Sequence, residues 1–555
     1  MRTTYFHYTF LFLLTSSLGF SQTKPEEKKP EPTGGITEEI EVVRPYMPVL
    51  ADASKIRRSP DLNSNKPFKP NLNYTILDKR LELNSDLRQL QAQQIIQPIP
   101  EILKNNYAKL GAGNFGTALG ELYINTGEDE ALQAGAYLKH LNQSGKLEEQ
   151  KFSHQQLGIF GKSIQDKITL NGEIGYDRFS TNFYGFDPDN ALANPDPQRQ
   201  RFGTFSLKGE LLKNFEESSE SDYAAKLDAY FLGNKYDARE SSYTLSGFFN
   251  KVWKQFNVGA NTSIDFTATK DLDYDISNNL IRINPYLKLQ GENYKLSLGI
   301  NLVKEFGTES RTNLFPTVIA EFPIVPGYAT IFGGYTGDVL KSTLKDFSTE
   351  NPYLAQNIAI KNAIEKSNIY GGIKGNAGSG FGFKAMVFFK TIEDMPLFTN
   401  SQSGFERFDV VYDQGNSKVF GLEGELSVKA SETLQLTGKL VMNDYNTATE
   451  EEAWYKPDFR VSSNARLSLN KKFLFDAEFV LNGDSNGLIY EGPALDRKII
   501  TVKSYVDLSL GAEYQFKDKI GIFLRANNLF GNEYQRYLYY PNLGLNVLGG
   551  LNYSF

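Results

Sequence analysis

The stretch Leu543-Gly-Leu-Asn-Val-Leu-Gly-Gly-Leu-Asn-Tyr-Ser-Phe555 decides how the rest of the chain is read. Every second residue back from Phe555 gives Tyr553, Leu551, Gly549, Val547, Leu545 and Leu543. The set between them is Ser554, Asn552, Gly550, Leu548, Asn546 and Gly544. One side is apolar and aromatic, and the other is small or polar. A period of two with chemically different sides is the pattern of a β-strand.

Composition agrees with sheet. The 555 residues include 40 Phe, 31 Tyr and 47 Gly against 5 Met and 2 Trp. A soluble all-β protein could share these numbers. The net charge of −7 gives no basis for a nucleic-acid partner. There is no Cys, which excludes disulfides, Cys-ligated zinc, iron–sulfur clusters, thiol catalysis and a lipid anchor on Cys.

The amino end reads as an export signal. Arg2 supplies the positive charge, Tyr8 to Phe20 the apolar run, and Gly19 and Ser21 the small residues before cleavage, so the mature chain begins at Gln22. No later stretch reaches 18 consecutive apolar residues, so any membrane span must be a closed barrel of strands. Residues 22–35 are Pro- and charge-rich, a solvated linker. Ile36-Thr-Glu-Glu-Ile-Glu-Val-Val43 is a short extended segment ended by Arg44-Pro45. It suits donation of a strand to a partner's sheet edge, and an ordinary N-terminal strand fits it equally. Residues 46–105 are irregular, with a strand at Asn73 to Leu77 and a helix at Asp86 to Ile96 as the candidate elements.

From Asn106 to Phe555 alternating segments of roughly 9 to 15 residues follow one another, too long for the usual sandwich strand of about five or six. Thr169-Asn171-Glu173-Gly175-Asp177 interleaves with Ile168-Leu170-Gly172-Ile174-Tyr176, and Lys384-Met386-Phe388-Lys390 with Phe383-Ala385-Val387-Phe389. Charges on one face suit a wet lumen, and the apolar face suits lipid. Connections alternate between short, as at Gln165-Asp166 and Lys517-Asp518, and long, as at Phe183 to Gln200, Ala268 to Asn279, Gly337 to Lys366, Asn446 to Lys456 and Asn482 to Lys498. The alternation fails once, at Phe405 to Gln414. Placing that segment in a long outer loop from Asp394 to Asn416 restores it and leaves about 22 strands, with both ends on the periplasmic side.

That size belongs to plugged transporters rather than to porins. The C-terminal third also resembles the barrel of TonB-dependent outer-membrane receptors. The likeness sits in Val419-Phe-Gly-Leu-Glu-Gly-Glu-Leu426, Trp454-Tyr-Lys-Pro-Asp-Phe459, Ala526-Asn-Asn-Leu-Phe-Gly-Asn-Glu-Tyr534 and Tyr553-Ser-Phe555. The resemblance implies a Gram-negative outer-membrane location and a TonB box at Glu38, Glu39, Ile40, Glu41, Val42 and Val43 that pairs with an energy-coupling protein. Leu551, Tyr553 and Phe555 would be the address read by the barrel-assembly machinery. Residues 22–105 show no plug-like run of strands, a departure from the family. The expected function is uptake or binding of an unidentified ligand. The alternative is a plug-less scaffold subunit, without transport activity, that holds other outer-membrane subunits. No cofactor is implied.

Other sites are weighed against plainer readings. His140 and His154 flank the loop Gln143 to Lys151 and would face each other across a symmetric hairpin, with Glu148 or Glu149 as a third metal ligand. Polar residues at a membrane rim explain them more simply. Ser144 or Ser153 beside His154 would be needed for hydrolysis, and no orienting group is recognisable, so the chain is read as no enzyme. Asp271-Leu-Asp-Tyr-Asp275 starts like a calcium loop, but Ile276 and Arg282 occupy its Gly and Glu positions. Tyr353 to Lys366 reads as a short helix, with Leu354, Ile358 and Ile364 in one arc, that caps the lumen or contacts a partner; simple packing on the barrel rim is the plainer reading. Tyr534, Tyr537, Tyr539 and Tyr540 read as an outer aromatic girdle.

Overall fold

The computed structural model describes residues 106–126, 131–186, 197–214, 220–253, 256–291, 293–376, 380–429, 433–470, 472–491 and 495–555. The export signal, the linker, Glu38 to Val43 and the segment 46–105, and with them the expected lack of a plug, lie outside the described residues.

The strands are β1 (Asn106–Gly113), β2 (Ala118–Asn125), β3 (Leu132–Ser144), β4 (Lys151–Ile164), β5 (Ile168–Asn182), β6 (Arg199–Lys213), β7 (Ser221–Asn234) and β8 (Arg239–Trp253). Next come β9 (Phe256–Lys270), β10 (Asp275–Gln290), β11 (Lys295–Gly307), β12 (Thr312–Val325), β13 (Ala329–Leu340), helix α1 (Leu344–Glu350), β14 (Ala363–Asn376), β15 (Phe381–Ser401) and β16 (Gly404–Lys429). The last are β17 (Leu434–Asn446), β18 (Phe459–Leu469), β19 (Phe473–Asn482), β20 (Ser485–Glu491), β21 (Asp496–Val502), β22 (Tyr505–Lys517), β23 (Ile520–Asn527) and β24 (Asn546–Ser554).

Apart from β20 and β21, which form their own hairpin, the strands make one 22-stranded antiparallel sheet. It closes where β24 pairs with β1, from Tyr107 opposite Ser554 to Gly113 opposite Leu548. Asn114 and Asn546 lock this seam. The Asn546 amide donates to Asn114 Oδ1 at 2.9 Å and to Thr117 Oγ1 at 3.0 Å, and Val547 N–H donates to Asn114 Oδ1 at 2.8 Å. At the opposite rim Phe555 N–H donates to the Asn106 carbonyl. That rim carries the short connections and both ends of the barrel, so the other rim, with the long connections, is the outer one.

The wall has its apolar side outward. In β24, Leu551 and Tyr553 are 58% and 44% exposed, while Asn552 and Ser554 are each 4% exposed. Ile174 on β5, Phe231 on β7, Val387 on β15 and Leu510 on β22 also face out. Open sheet edges cannot be satisfied in hydrocarbon, and ring closure removes them.

Three expectations change. The long loop at Ala268 to Asn279 is a four-residue turn, because β9 and β10 continue to Lys270 and from Asp275, which pair. The ladder needs only backbone groups, so it runs on after the apolar alternation has stopped. The segment Phe405 to Gln414 belongs to the outer connection as the alternation demanded, but it is strand. β15 and β16 form a hairpin that rises past the wall, with Met395 opposite Asp413 and Asn400 opposite Phe408. The helix in the β13–β14 connection spans Leu344–Glu350 instead of Tyr353 to Lys366. Thr343 caps it, with Thr343 Oγ1 accepting from Asp346 N–H at 3.0 Å. Pro352 disfavours helical backbone at Asn351, which is extended at φ −136° and ψ 105°.

Candidate functional site

Below the outer rim the lumen is lined by paired charges. Lys384 meets Glu423 at 2.9 Å, Lys439 meets Glu425 at 3.1 Å, Lys374 meets Glu321 at 2.6 Å and Arg525 meets Asp476 at 3.1 Å. These are the polar residues of the alternating segments, and opposite signs on adjacent or next-but-one strands keep the lining close to neutral.

Above this lining the outer connections fold inward and pack into one apolar core. Phe408, on the tall β15–β16 hairpin, is fully buried at its centre. Its N–H donates to the Tyr353 carbonyl at 2.9 Å, and Ala355 N–H donates to the Phe408 carbonyl at 2.8 Å. This bridge spends the backbone of Tyr353 to Ala355 on strand-type pairing with Phe408, in place of the helix. Around Phe408 stand Tyr537 with ring centroids 5.2 Å away, Tyr455 at 5.5 Å and Tyr540 at 6.0 Å. Tyr540 stacks on Tyr353 at 3.5 Å and meets Tyr184 edge-on at 4.9 Å. Trp454, Leu354, Ile358 and Leu488 complete the core, so five long connections and the hairpin contribute. Each large side chain buried this way contributes roughly 1.5–3 kcal/mol. The result is a cap of ordinary protein interior across the outer mouth.

Tyr534, Tyr537, Tyr539 and Tyr540 are therefore no girdle. All four are buried, and their hydroxyls act inside the protein: Tyr537 donates to the Glu350 carbonyl at 2.9 Å, Tyr534 to Asp507 Oδ2 at 2.6 Å and Tyr540 to the Glu406 carbonyl. Leu354 and Ile358 belong to the cap, while Ile364 packs with Leu280, Val303, Phe315 and Val339 nearer the wall. Leu354 and Ile358 thus cap the lumen, where rim packing is the plainer expectation, and only Ile364 packs by the wall.

Two polar anchors hold the cap to the wall, and a third ties the hairpin to the β17–β18 connection. The buried Glu240 carboxylate on β8 accepts from Leu344 and Lys345 N–H at 2.8 and 3.0 Å, at the start of α1, and from Tyr230 and Thr269 hydroxyls at 2.8 and 2.7 Å. A carboxylate at this end of a helix satisfies donors that have no intrahelical acceptor. Asn362 ties the other foot of the same connection, donating to Asn278 Oδ1 at 2.7 Å and Glu305 Oε1 at 2.8 Å. Asp413 on the hairpin accepts from Ser417 Oγ at 2.5 Å and from the N–H groups of Ala448, Thr449 and Glu450 at 2.6–2.8 Å. Burial works against its charge, but these hydrogen bonds outweigh it and hold the carboxyl below the usual aspartate range. None of the three anchors stands out in the sequence. Only the alternation of Phe405 to Gln414 was a signal for Phe408 and Asp413.

The structure separates the other candidates. His140 lies opposite Gln155, and His154 lies opposite Leu141, one residue off the expected register. That offset puts His140 on the lipid face and His154 in the lumen, where its Nε2 is 2.7 Å from Asp177 Oδ2. Ser144 and Ser153 alternate onto the face away from His154. Among the described residues no group of three His, Cys, Asp or Glu could hold a metal ion. Asp271 and Asp273 dock the β9–β10 turn on Asn357, whose N–H reaches Asp271 Oδ2 at 2.8 Å and whose amide reaches Asp273 Oδ2 at 2.5 Å. In the motif Ala526 to Tyr534, Asn528 takes the left-handed conformation at φ 49° and its amide donates to the Asn532 and Leu543 carbonyls at 2.7 and 2.9 Å. The motif is a staple between β23 and β24.

An apolar outer belt, a polar lumen and long connections at one rim define an outer-membrane β-barrel. Solved structures place it more closely. The pyoverdine outer membrane receptor FpvA from Pseudomonas aeruginosa PAO1, bound to pyoverdine, superposes with a TM-score of 0.63 at 13% identity, over 82% of this chain and 78% of that one. The ferric-catecholate import receptor Fiu from K12 E. coli, in its closed form, gives 0.62 at 11% identity over 81% and 82%. The FrpB iron transporter from Neisseria meningitidis gives 0.61 at 12% identity over 82% of each chain. No family model and no curated protein matches the sequence. The chain has the 22-stranded barrel fold of TonB-dependent outer-membrane receptors.

Proposed function

We propose that this barrel captures a small ligand at its outer face and passes it inward through the lumen. A TonB-type coupling protein pairs with Glu38 to Val43 and supplies the energy. The observation that carries the reading is the inward-folded cap. Loops that served as docking platforms for partner subunits would keep their apolar side chains available, whereas here those side chains are buried against one another across the lumen. A closed mouth is what a gated route requires and what a standing pore lacks. The receptor and transporter neighbours support the same reading at the level of fold.

Two measurements test it. In planar bilayers the intact chain should pass no steady current, and a large steady current would overturn a gated route. The full chain should retain a TonB-type protein on affinity purification and lose it when Glu38 to Val43 is deleted; equal retention would remove the coupling step. We also assign Leu551, Tyr553 and Phe555 as the strand face read by the barrel-assembly machinery. Deleting Phe555 should lower the outer-membrane level of the protein, and normal levels would refute that role.

A further inference from the structure

We propose that Arg460 and Arg536 form an oxyanion-binding site beneath the cap, walled by Tyr505 and Tyr534. The proposal deepens the uptake reading by naming a ligand class: a small molecule that carries carboxylate or phosphate groups.

Register places the first residues. Arg460 is opposite Asn482, and Asn482 is opposite Tyr505, so the three side chains form one row on β18, β19 and β22. The row faces the lumen, because the alternate residue of β22, Leu510, is exposed on the outer wall while Ser509 and Glu513 are buried on Tyr505's side. It also lies at the outer ends of these strands, directly under the cap. Tyr534 descends from the cap and stacks flat on Tyr505, with centroids 3.9 Å apart and planes 4° apart. Two residues on, the Arg536 guanidinium lies 5.3 Å from the Tyr537 ring centroid. Arg460 and Arg536 are within electrostatic reach of each other and of both stacked tyrosines.

What sets these two arginines apart is that neither guanidinium meets a carboxylate at ion-pair distance, although Glu350 lies within electrostatic reach of Arg536 and Glu478 of Arg460. Elsewhere in the lumen the cations named above each meet a carboxylate. Here the nearby acids are already engaged: Asp507 by Tyr534, Asp476 and Glu478 by Arg525, and Glu350 by Lys456. Neither the Arg460 nor the Arg536 side chain makes a hydrogen bond or ion pair with another described residue, and Arg460 Nε is buried without an acceptor. Two like charges within electrostatic reach of each other, with planar forks unused by any carboxylate, favour an anion between them. Guanidinium forks match carboxylate and phosphate oxygens bidentately, and the tyrosine stack offers an aromatic wall to the body of the ligand.

The test is calorimetric titration of the full chain in detergent with citrate and with inorganic phosphate at low ionic strength. The same titrations on Phe408→Ala, which loosens the cap, ensure that access is not limiting. Saturable binding is expected, weakened at least tenfold by Arg460→Gln or Arg536→Gln, less by Arg460→Lys, and unaffected by Lys498→Gln on the outer hairpin. Heat-modifiable gel migration confirms that each variant is folded. Tighter citrate binding assigns a carboxylate ligand, and tighter phosphate binding assigns a phosphoryl one. No binding of either probe in both backgrounds, or equal binding by the double Gln variant, overturns the site. Binding that survives deletion of Glu38 to Val43 keeps the site even where coupled uptake fails.

Discussion

Tyr553 and Tyr540 stand thirteen positions apart and behave oppositely. Tyr553 points out of the wall and is 44% exposed, whereas Tyr540 is fully buried in the cap. The same contrast holds for Leu551 at 58% and Leu538 at 7%. The wall buries its apolar side chains in lipid and keeps its charges inside. The cap is built like a soluble protein, with aromatic rings in its centre and ion pairs around it. Residue type therefore carries no fixed meaning along this chain: what a tyrosine does depends on whether its neighbours form a ladder or a packed loop.

The largest effect should come from the centre of the cap. Phe408→Ala should cost the cap about 3–5 kcal/mol. It should convert a silent barrel into one that passes steady current, with heat-modifiable migration unchanged. If current stays absent while protease sites open in the loops, cap and gate are separate things. On the wall, Ile159→Arg places a charge near mid-height of the lipid face, and should cost roughly 2–4 kcal/mol of folding into liposomes. Its loops should be as protease-resistant as before, and a simultaneous loss would show that the two regions share one cooperative unit. Between them lies Glu240→Ala, which removes the acceptor for four donors. A loss of about 2–3 kcal/mol is expected in the hydrogen-exchange protection of residues 341–362.

The smallest effect is pH-dependent. Asp413→Asn should cost about 1–2 kcal/mol at neutral pH, read as exchange protection of Thr447 to Glu450. Because the native carboxyl titrates below its ordinary value, its contribution is complete above about pH 4. It disappears as pH falls further through the lowered native value, so wild type and variant should converge there. A constant difference down to pH 2 would place the stabilisation elsewhere.

Most of the wall was legible because alternation is a local property: the 22 strands and the start at Asn106 follow from period-two patterns and the lengths of links. The cap was not, since its determinants are contacts between distant segments. Glu240 meets Leu344 104 residues away, and Asn362 meets Glu305 57 residues away. Neither has a periodic signature. The four tyrosines were misread because proximity to a predicted rim says nothing about which way a loop folds. The helix in the β13–β14 connection was misplaced for a related reason, since arcs drawn on Leu354, Ile358 and Ile364 ignored the strand partner supplied by Phe408.

The seam between β1 and β24 has a consequence for the order in which the barrel comes into being. Every other pairing of the wall joins strands that are neighbours in the chain, with β19 and β22 separated only by their own hairpin. Such hairpins can zip progressively as the polypeptide emerges. The last stitch joins Asn114 to Asn546, 432 residues apart, and bringing ends that distant together in a free chain would cost about 5 kcal/mol. A partly zipped sheet has already restricted those ends, so the stitch becomes cheap only after everything between it is in place. Until then both edges hang open. A nascent barrel of this kind is thus a sheet with two sticky margins, and its greatest exposure to wrong partners comes just before it becomes a ring.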